Sequence, residues 1–473
     1  MATRTSSTSS IATINPATGE VVREFQPMTS EAIDAAIRDA DAVWPRWRAR
    51  SIDERADIVG RAGALMLERI DELAELLTLE MGKLLREAKG EVQLAAAILN
   101  YYAEHGPAML ADRELPQQEG WAKVVSEPIG VMLAIEPWNF PFYQAIRVAA
   151  PNLVAGNVLL LKHASINPQS ALALETLFAD AGAPAHVFTN LFVPGSKVTP
   201  IIEDPRVKGV TITGSEGAGA SVAAAAGAKL KKSVLELGGS DPFIVLEDAD
   251  LERAVATALA GRMANAGQVC TSPKRMIVVG DRYDAFVEQL VRAMGELQAG
   301  DPRDDATTLP PLSSESAAEG LEEQVQDAIA QGATCLLGGH RMDRAGFYFE
   351  PTVLVDIEPG TLAYTEELFG PVAMVYRAAD EDEAVRIAND VRFGLGATIM
   401  TSDLDRGEDV ARRIDSGMVW INQPTGSAPD LPFGGVKASG YGRELGDLGI
   451  TEFVNQKLIR VLPDDATPQG AAG

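Results

Sequence analysis

An α/β fold of two or three domains, with parallel sheets covered by helices on both faces, is what the sequence predicts. Its 473 residues exceed one ordinary hydrophobic core. Short β-rich runs alternate with helical segments at the pitch of parallel strands joined by crossover helices. The alternation occurs twice, first up to Gly239 and again from about Pro242.

The elements follow in order. Ser51 and Glu54 have the spacing of a capping box. Ile58, Ala62, Leu65, Met66, Ile70, Leu73 and Leu77 then recur at helical intervals. Gly82 stands where a helix needs a left-handed residue to end, and Glu91 to Tyr102 continues in helical style. The first strands fall at Val131–Ile135, Val158–Leu161, Asn190–Val193, Val210–Thr213 and Val234–Leu237, with helices at Gln169–Ala181 and Ser215–Gly227. Sheets of this kind bind dinucleotides at the carboxyl ends of their strands, so the chemistry is expected there. The second series takes Phe243–Leu246, Met276–Val279 and Val353–Val355 as strands and runs to about Asn422. Trp121–Ser126 and Ile459–Leu462 are strand-like but belong to neither series. Leftover strands of this sort often bridge subunits, because an unpaired edge must be covered. Residues 1–10 and 464–473 read as frayed tails.

Composition narrows the function classes. Hydrophobic residues make up 46% and charged residues 23%, the balance of a soluble globular protein. No apolar run approaches the ~20 residues a bilayer span requires. The segment Met1 to Ser10 lacks the apolar core of a secretory signal. Against 41 Lys and Arg stand 67 Asp and Glu, a net charge of -26. Such a surface repels phosphate backbones and anionic lipid, which excludes nucleic acid and membrane as partners. Two cysteines, Cys270 and Cys335, and four histidines provide neither a disulfide framework nor a zinc ligand set. The expected compartment is a reducing cytoplasm, and no metal is expected.

Four islands carry chemistry. In Pro137-Trp138-Asn139-Phe140-Pro141 two prolines restrict the backbone and forbid helix, so the Asn139 amide is held rather than mobile. A fixed amide donor suits a developing oxyanion, although a tight turn would also use Asn there. In Leu235-Glu236-Leu237-Gly238-Gly239 a carboxylate sits inside an apolar strand. Burial raises its pKa toward that of a general base, unless Glu236 is merely a satisfied core residue. In Asn265-Ala266-Gly267-Gln268-Val269-Cys270-Thr271 a cysteine occupies a glycine-containing loop leading toward a possible helix start, where a thiolate is favoured. Cys335, in an apolar run, fits an inert packing residue and is given no role. Glu366-Glu367-Leu368-Phe369-Gly370-Pro371 joins acids, an aromatic and a Gly-Pro turn, a set suited to a sugar and a flat ring.

Taken in this order and local context, Asn139, Glu236, Cys270, and Glu367 with Phe369 resemble the aldehyde dehydrogenase superfamily. The likeness runs from Ile14-Asn15-Pro16-Ala17-Thr18-Gly19 to Pro432-Phe433-Gly434-Gly435-Val436-Lys437-Ala438-Ser439-Gly440. It implies a Rossmann-like cofactor domain (residues 11–118 and 138–241), an α/β catalytic domain (242–440) and a small β oligomerisation arm (119–137 and 441–463), in a homodimer or homotetramer. It further implies that Cys270 attacks the aldehyde carbon and that Asn139 and the Cys270 backbone N–H meet the oxyanion. Glu236 would then activate the water that hydrolyses the thioester, so one difficult step is split into two.

Cofactor positions carry over by the same resemblance. Lys162 matches a lysine that bonds the adenosine ribose, and Gly214-Ser215 the pyrophosphate contact at a helix N-terminus. Gly219 completes a G-S-x-x-x-G pattern in place of the usual dinucleotide fingerprint. Glu367 matches the residue that holds the nicotinamide ribose, and Phe369 the aromatic beside the ring. Ile135, Trp138, Asn139, His163, Ala164 and Leu237 are placed around the cofactor as well. Ser165 stands where NAD-preferring relatives often carry Glu, so repulsion of a 2′-phosphate is absent; NADP is preferred and NAD is possible. His163 replaces a more usual proline and has no reading from the residues alone.

For the substrate, Arg147 and Ser427 match the remote-carboxylate contacts of succinate-semialdehyde dehydrogenases, and the local runs resemble the bacterial NADP-type branch. Two positions depart from that pattern: Ala264 replaces an arginine six residues before Cys270, and Ser272 replaces a redox-switch cysteine. The rival readings are a dehydrogenase of uncharged aldehydes, a CoA-acylating enzyme, which Glu236 disfavours, and a non-catalytic structural protein on the same fold. If Ser165 faces the cofactor's 2′ position, Ser165→Glu shifts the kcat/KM ratio from NADP toward NAD. An unmoved ratio would remove Ser165 from that position.

Overall fold

The computed structural model describes residues 11–463, and both expected tails lie outside the described residues. Helices come first. Ser51 and Glu54 form the expected capping box at the start of helix Ile52–Glu68. The periodic run is not one helix: it breaks at Arg69 and resumes as Ile70–Met81. Gly82 ends that second helix with φ 83°, the left-handed conformation its position predicts. Helix Leu85–Met109 follows and packs against helices Ile52–Glu68 and Pro141–Ala155.

The first strand series forms a six-stranded sheet in the order Gly440–Tyr441, Lys232–Glu236, Val207–Thr213, Val131–Ile135, Val158–Lys162 and Phe188–Asn190. All neighbours are parallel except the late edge strand Gly440–Tyr441. The third strand in sequence order is Phe188–Asn190 rather than Asn190–Val193; the chain leaves the sheet after Asn190. A seven-stranded sheet follows, ordered Thr334–Leu337, Thr352–Val355, Val372–Ala378, Pro273–Val279, Asp241–Val245, Thr398–Met400 and Trp420–Ile421. Its central strands are buried on both faces: Phe243 and Val245 enter one core and Ile244 the other. Continuous apolar runs are what such double burial requires.

Trp121–Pro128 and Val454–Val461 pair antiparallel over their whole length, with Arg113–Leu115 on the outer edge of Trp121–Pro128. Two of the expected segment bounds need correction. Val131–Ile135 fell within the arm segment 119–137 but is a central strand of the six-stranded sheet. Only two residues separate it from Trp121–Pro128, so one extended run serves two sheets. Tyr441, at the start of segment 441–463, likewise pairs with Leu235 of that sheet. Among the described residues no helix is long and apolar enough to cross a membrane.

At Gly82 an added Cβ would lie 2.8 Å from Pro311 Cγ and 2.9 Å from Pro16 Cβ, besides straining the backbone. Gly82→Ala should therefore destabilise the protein by ~1–3 kcal/mol, measured from the denaturation midpoint. An unchanged midpoint would mean that this helix end re-forms without a left-handed residue.

Candidate active site

The cysteine loop is built on unusual backbone. Asn265, Ala266 and Gly267 all have positive φ (53°, 53° and 75°). Two of the three are not glycine, and each such residue costs of order 1 kcal/mol. Hydrogen bonds hold the turn. Arg262 Nη1 donates to the Gly267 carbonyl at 3.1 Å, and Gln268 Nε2 to the Asn265 carbonyl at 3.0 Å. Gln268 Oε1 accepts the Ser313 N–H at 2.9 Å. Cys270 then leads into the buried strand Pro273–Val279, not into the helix start that the sequence suggested. Lys274 Nζ reaches back to the carbonyls of Val269 (2.7 Å) and Cys270 (2.8 Å).

The amide loop approaches from the other sheet. Pro137 to Phe140 is non-helical as expected, but Pro141 opens helix Pro141–Ala155. Proline is favoured at a first helical position, where its missing N–H is no loss. Asn139 is buried and its Nδ2 donates to the Gln268 carbonyl at 3.1 Å. A carboxamide carries two N–H donors, so one remains for another acceptor. Asn265 Nδ2 returns the contact by donating to the Asn139 carbonyl at 3.0 Å.

Between these loops lies a cavity of about 280 Å³ lined by Trp138, Asn139, Gln144, Cys270, Glu367 and Phe369 among others. Trp138 and Phe369 meet edge to face at 5.6 Å. Thr213, Gly214, Ser215, Leu237 and Gly238 complete the wall. Ser215 precedes helix Glu216–Ala228 without its side chain capping it, which leaves the first amides of that helix for an anion. A Cβ on Gly219 would fall 2.5 Å from Leu237 Cδ2, so glycine lets the Leu237 side chain lie against this helix. Glu367 pairs with Lys274 at 2.9 Å.

Several sequence candidates lie outside this cavity. Ile135 and Lys162 are register partners at the carboxyl ends of adjacent strands. Ala164 and Ser165 follow Lys162, and the Ser165 carbonyl accepts the Ala12 N–H at 3.0 Å. These positions suit the far end of an extended dinucleotide, and desolvation lowers the Lys162 pKa. His163 has a structural explanation. Its Nε2 lies 3.0 Å from the Pro141 carbonyl, its Nδ1 accepts the Ala164 N–H at 2.8 Å, and burial depresses its pKa to about 4. It ties the strand end to the helix that follows Asn139. Cys335 donates to the carbonyls of Leu337 and Gly338 on an edge strand of the seven-stranded sheet, away from the cavity.

Arg147 differs most from expectation. Its side chain is fully buried and ion-paired with Glu444. Nη1 donates to Tyr143 Oη at 2.9 Å and Nη2 to Thr213 Oγ1 at 3.2 Å. The guanidinium also stacks on Tyr143 and Phe433, 5.0 and 4.5 Å from the ring centroids. It is therefore not presented to a ligand. Tyr143, itself buried, places its Oη 2.6 Å from Ser427 Oγ. Ser427 is half-buried on the loop after strand Trp420–Ile421.

Glu236 is also behind the wall, buried, with neither carboxylate oxygen hydrogen-bonded. Burial holds its pKa well above the usual carboxylate range, with Arg147 opposing and Glu444 adding to the rise. Glu136 is in the same state, raised by burial and by Glu444. Five neighbours of these groups are absent from the sequence reading: Glu136, Tyr143, Gln144, Lys274 and Glu444. Only Glu136 carried a signal, a carboxylate closing an apolar strand, as Glu236 does.

The thiol contradicts the simple loop argument. Cys270 is partly open to the cavity, yet desolvation pushes its pKa up to about 12 against the pull of Lys274 and Arg147. A thiol stays protonated below its pKa, so alkylation of Cys270 should rise about tenfold per pH unit between roughly pH 7 and 9.5. Peptide mapping after iodoacetamide treatment separates it from Cys335. A plateau below pH 9 would contradict the raised pKa.

Comparison with known proteins places nearly the whole chain in one family. The aldehyde dehydrogenase family model matches residues 3–459. The chain is 57% identical over 462 residues to a Deinococcus radiodurans succinate-semialdehyde dehydrogenase (NADP+), covering 98% of this chain and 97% of that protein. It is 49% identical to the enzyme of the same name from Mycolicibacterium paratuberculosis, covering 95% and 96%. Among solved structures, a Streptococcus pyogenes succinic semialdehyde dehydrogenase in complex with NADP+ superposes with a TM-score of 0.94 at 43% identity, covering 96% of this chain and 100% of that one.

Proposed function

This chain belongs to the aldehyde dehydrogenase family, and we propose that it oxidises succinate semialdehyde to the dicarboxylic acid with NADP+ through a thioester on Cys270. The observation that carries the reading is the convergence of Cys270, Asn139 and an uncapped helix N-terminus on one cavity. The relatives named for this substrate and cofactor support both choices.

Of the residues lining the cavity, Gly214 and Ser215 would hold the pyrophosphate, Glu367 the nicotinamide ribose, and Trp138 and Phe369 would bound the ring. Lys162, Ala164 and Ser165 take the adenosine end, where the absence of a carboxylate admits a 2′-phosphate; NAD+ remains a usable alternative. When bound, the cofactor accepts the hydride from the substrate carbon. Cys270 Sγ bonds to the aldehyde carbon as its proton passes to solvent water and the C=O π pair moves onto oxygen, where the developing charge meets the remaining Asn139 N–H and the Cys270 backbone N–H. After the hydride has left, the product is a thioester. Glu236 takes a proton from water as its oxygen attacks, and the C–S bond breaks to give the acid and the thiolate. The raised pKa of Glu236 suits that role.

The remote carboxylate of the substrate is read by the hydroxyls of Tyr143 and Ser427, with the Arg147 charge one hydrogen bond behind them. Arg147 thus acts on the substrate through Tyr143. The protein works in the reducing cytoplasm, where Cys270 stays a thiol. The paired strands Trp121–Pro128 and Val454–Val461, with Trp121, Leu458 and Val461 exposed, form the arm of a homodimer or homotetramer.

The test compares kcat/KM for succinate semialdehyde and for butanal, with both cofactors, in the wild type and Tyr143→Phe. The wild type should prefer succinate semialdehyde and NADP+. Tyr143→Phe should lose roughly 10- to 150-fold on the charged substrate and little on butanal, the scale of one hydrogen bond to a charged group. Equal losses on both would make Tyr143 structural, and a wild type preferring butanal would overturn the substrate.

A further inference from the structure

The amide loop and the cysteine loop come from different sheets, yet both rest on one helix. Helix Leu85–Met109 carries Glu87 and Glu91 in its first two turns, at positions i and i+4 on one face. Glu91 is 4% exposed, and its Oε1 accepts the N–H groups of Phe142 (2.8 Å) and Tyr143 (3.2 Å). These are the otherwise unpaired first amides of helix Pro141–Ala155, directly after the Asn139 loop. Its other oxygen pairs with the buried Lys83, whose Nζ also lies 3.9 Å from the centre of the Phe140 ring. One turn earlier, Glu87 Oε1 accepts the N–H of Asn265 at 3.1 Å. Asn265 opens the left-handed turn that leads to Cys270, and its side chain holds both the Asn139 and Gln268 carbonyls. Glu87 Oε2 is buried with no partner.

We propose that Glu87 and Glu91 are positioning residues that set the distance between the Asn139 amide and the Cys270 sulfur. Glu91 anchors the helix that follows the donor, and Glu87 anchors the strained turn that precedes the nucleophile. Both anchors are carboxyl oxygens accepting backbone N–H groups that would otherwise be unpaired. They stand one helical turn apart on a rigid element, so the spacing of the two loops is inherited from the helix. Released from Glu87, the three left-handed residues can relax toward ordinary backbone and carry Gln268 and Cys270 away from Asn139. A displacement of about 1 Å at a reacting centre costs on the order of 100-fold in rate.

The proposal rests on Cys270 as nucleophile and Asn139 as oxyanion donor, and the test separates the two claims. Glu87→Ala should slow single-turnover formation of reduced cofactor roughly 10- to 100-fold while Kd for NADP+ is unchanged within about twofold. Glu87→Gln should restore most of that rate, because its amide oxygen can accept the same N–H. Adding Asn139→Ala to Glu87→Ala should cost much less than the product of the two single losses, since the amide held in register is already gone. If Glu87→Ala does not fold, Glu87→Met, which fills the space without an acceptor, serves in its place. Multiplicative losses, or a Glu87→Gln enzyme as slow as Glu87→Ala, would overturn the proposal. An Asn139→Ala enzyme as fast as the wild type would instead overturn the reading of Asn139 on which it depends.

Discussion

The hydrogen bond from Asn139 to the Gln268 carbonyl joins the two α/β units at the one place where their chemistry must meet. Asn139 leaves the carboxyl end of a central strand of the six-stranded sheet, and Gln268 stands two residues before the thiol, on chain that enters the seven-stranded sheet. Neither unit holds a complete site. The first supplies the amide, the helix N-terminus and Glu236; the second supplies Cys270, Lys274, Glu367 and Phe369. The reciprocal bond from Asn265 to the Asn139 carbonyl closes the contact in both directions. Two helix carboxylates, Glu87 and Glu91, brace it from behind.

Water exclusion gives the site its electrostatic character. Desolvation raises Cys270, Glu236, Glu136 and Glu367, and lowers His163 and Lys162. The common direction is toward neutral forms, as expected when charge is taken from water into a medium of low polarity. The exception is Arg147, which keeps its charge against burial because Glu444 stands beside it. Arg147, paired with Glu444, and Lys274, paired with Glu367, are the buried cations beside these groups. Preoriented donors such as the Asn139 amide are worth more here than they would be in water.

Much of this was legible in the sequence because it is local. The Ser51–Glu54 capping box, the left-handed Gly82 and the strand Val131–Ile135 depend on neighbouring residues and appear where their signals lie. Strand Val372–Ala378 was missed although its run of apolar residues is plain, because burial on both faces removes the alternation that marks a strand. The islands around Asn139, Glu236 and Cys270 pointed to a single site, but not to the state of its groups. A lowered thiol pKa was inferred from a loop and a helix start; the strand and the dry cavity reverse it. For Arg147 the resemblance implies a substrate contact, and nothing nearby in the chain discloses Glu444, its distant partner. Position along the chain marked the candidates, and tertiary contacts decided what each one faces.

The central claim is that the acyl group passes through Cys270 and is released by Glu236. It is tested most directly by trapping the intermediate in Glu236→Gln enzyme. Mixed with succinate semialdehyde and NADP+, quenched in acid and digested, that enzyme should carry one succinyl group on the peptide containing Cys270, formed together with one equivalent of reduced cofactor per active site. A burst without an adduct, or an adduct on Cys335, would contradict the account.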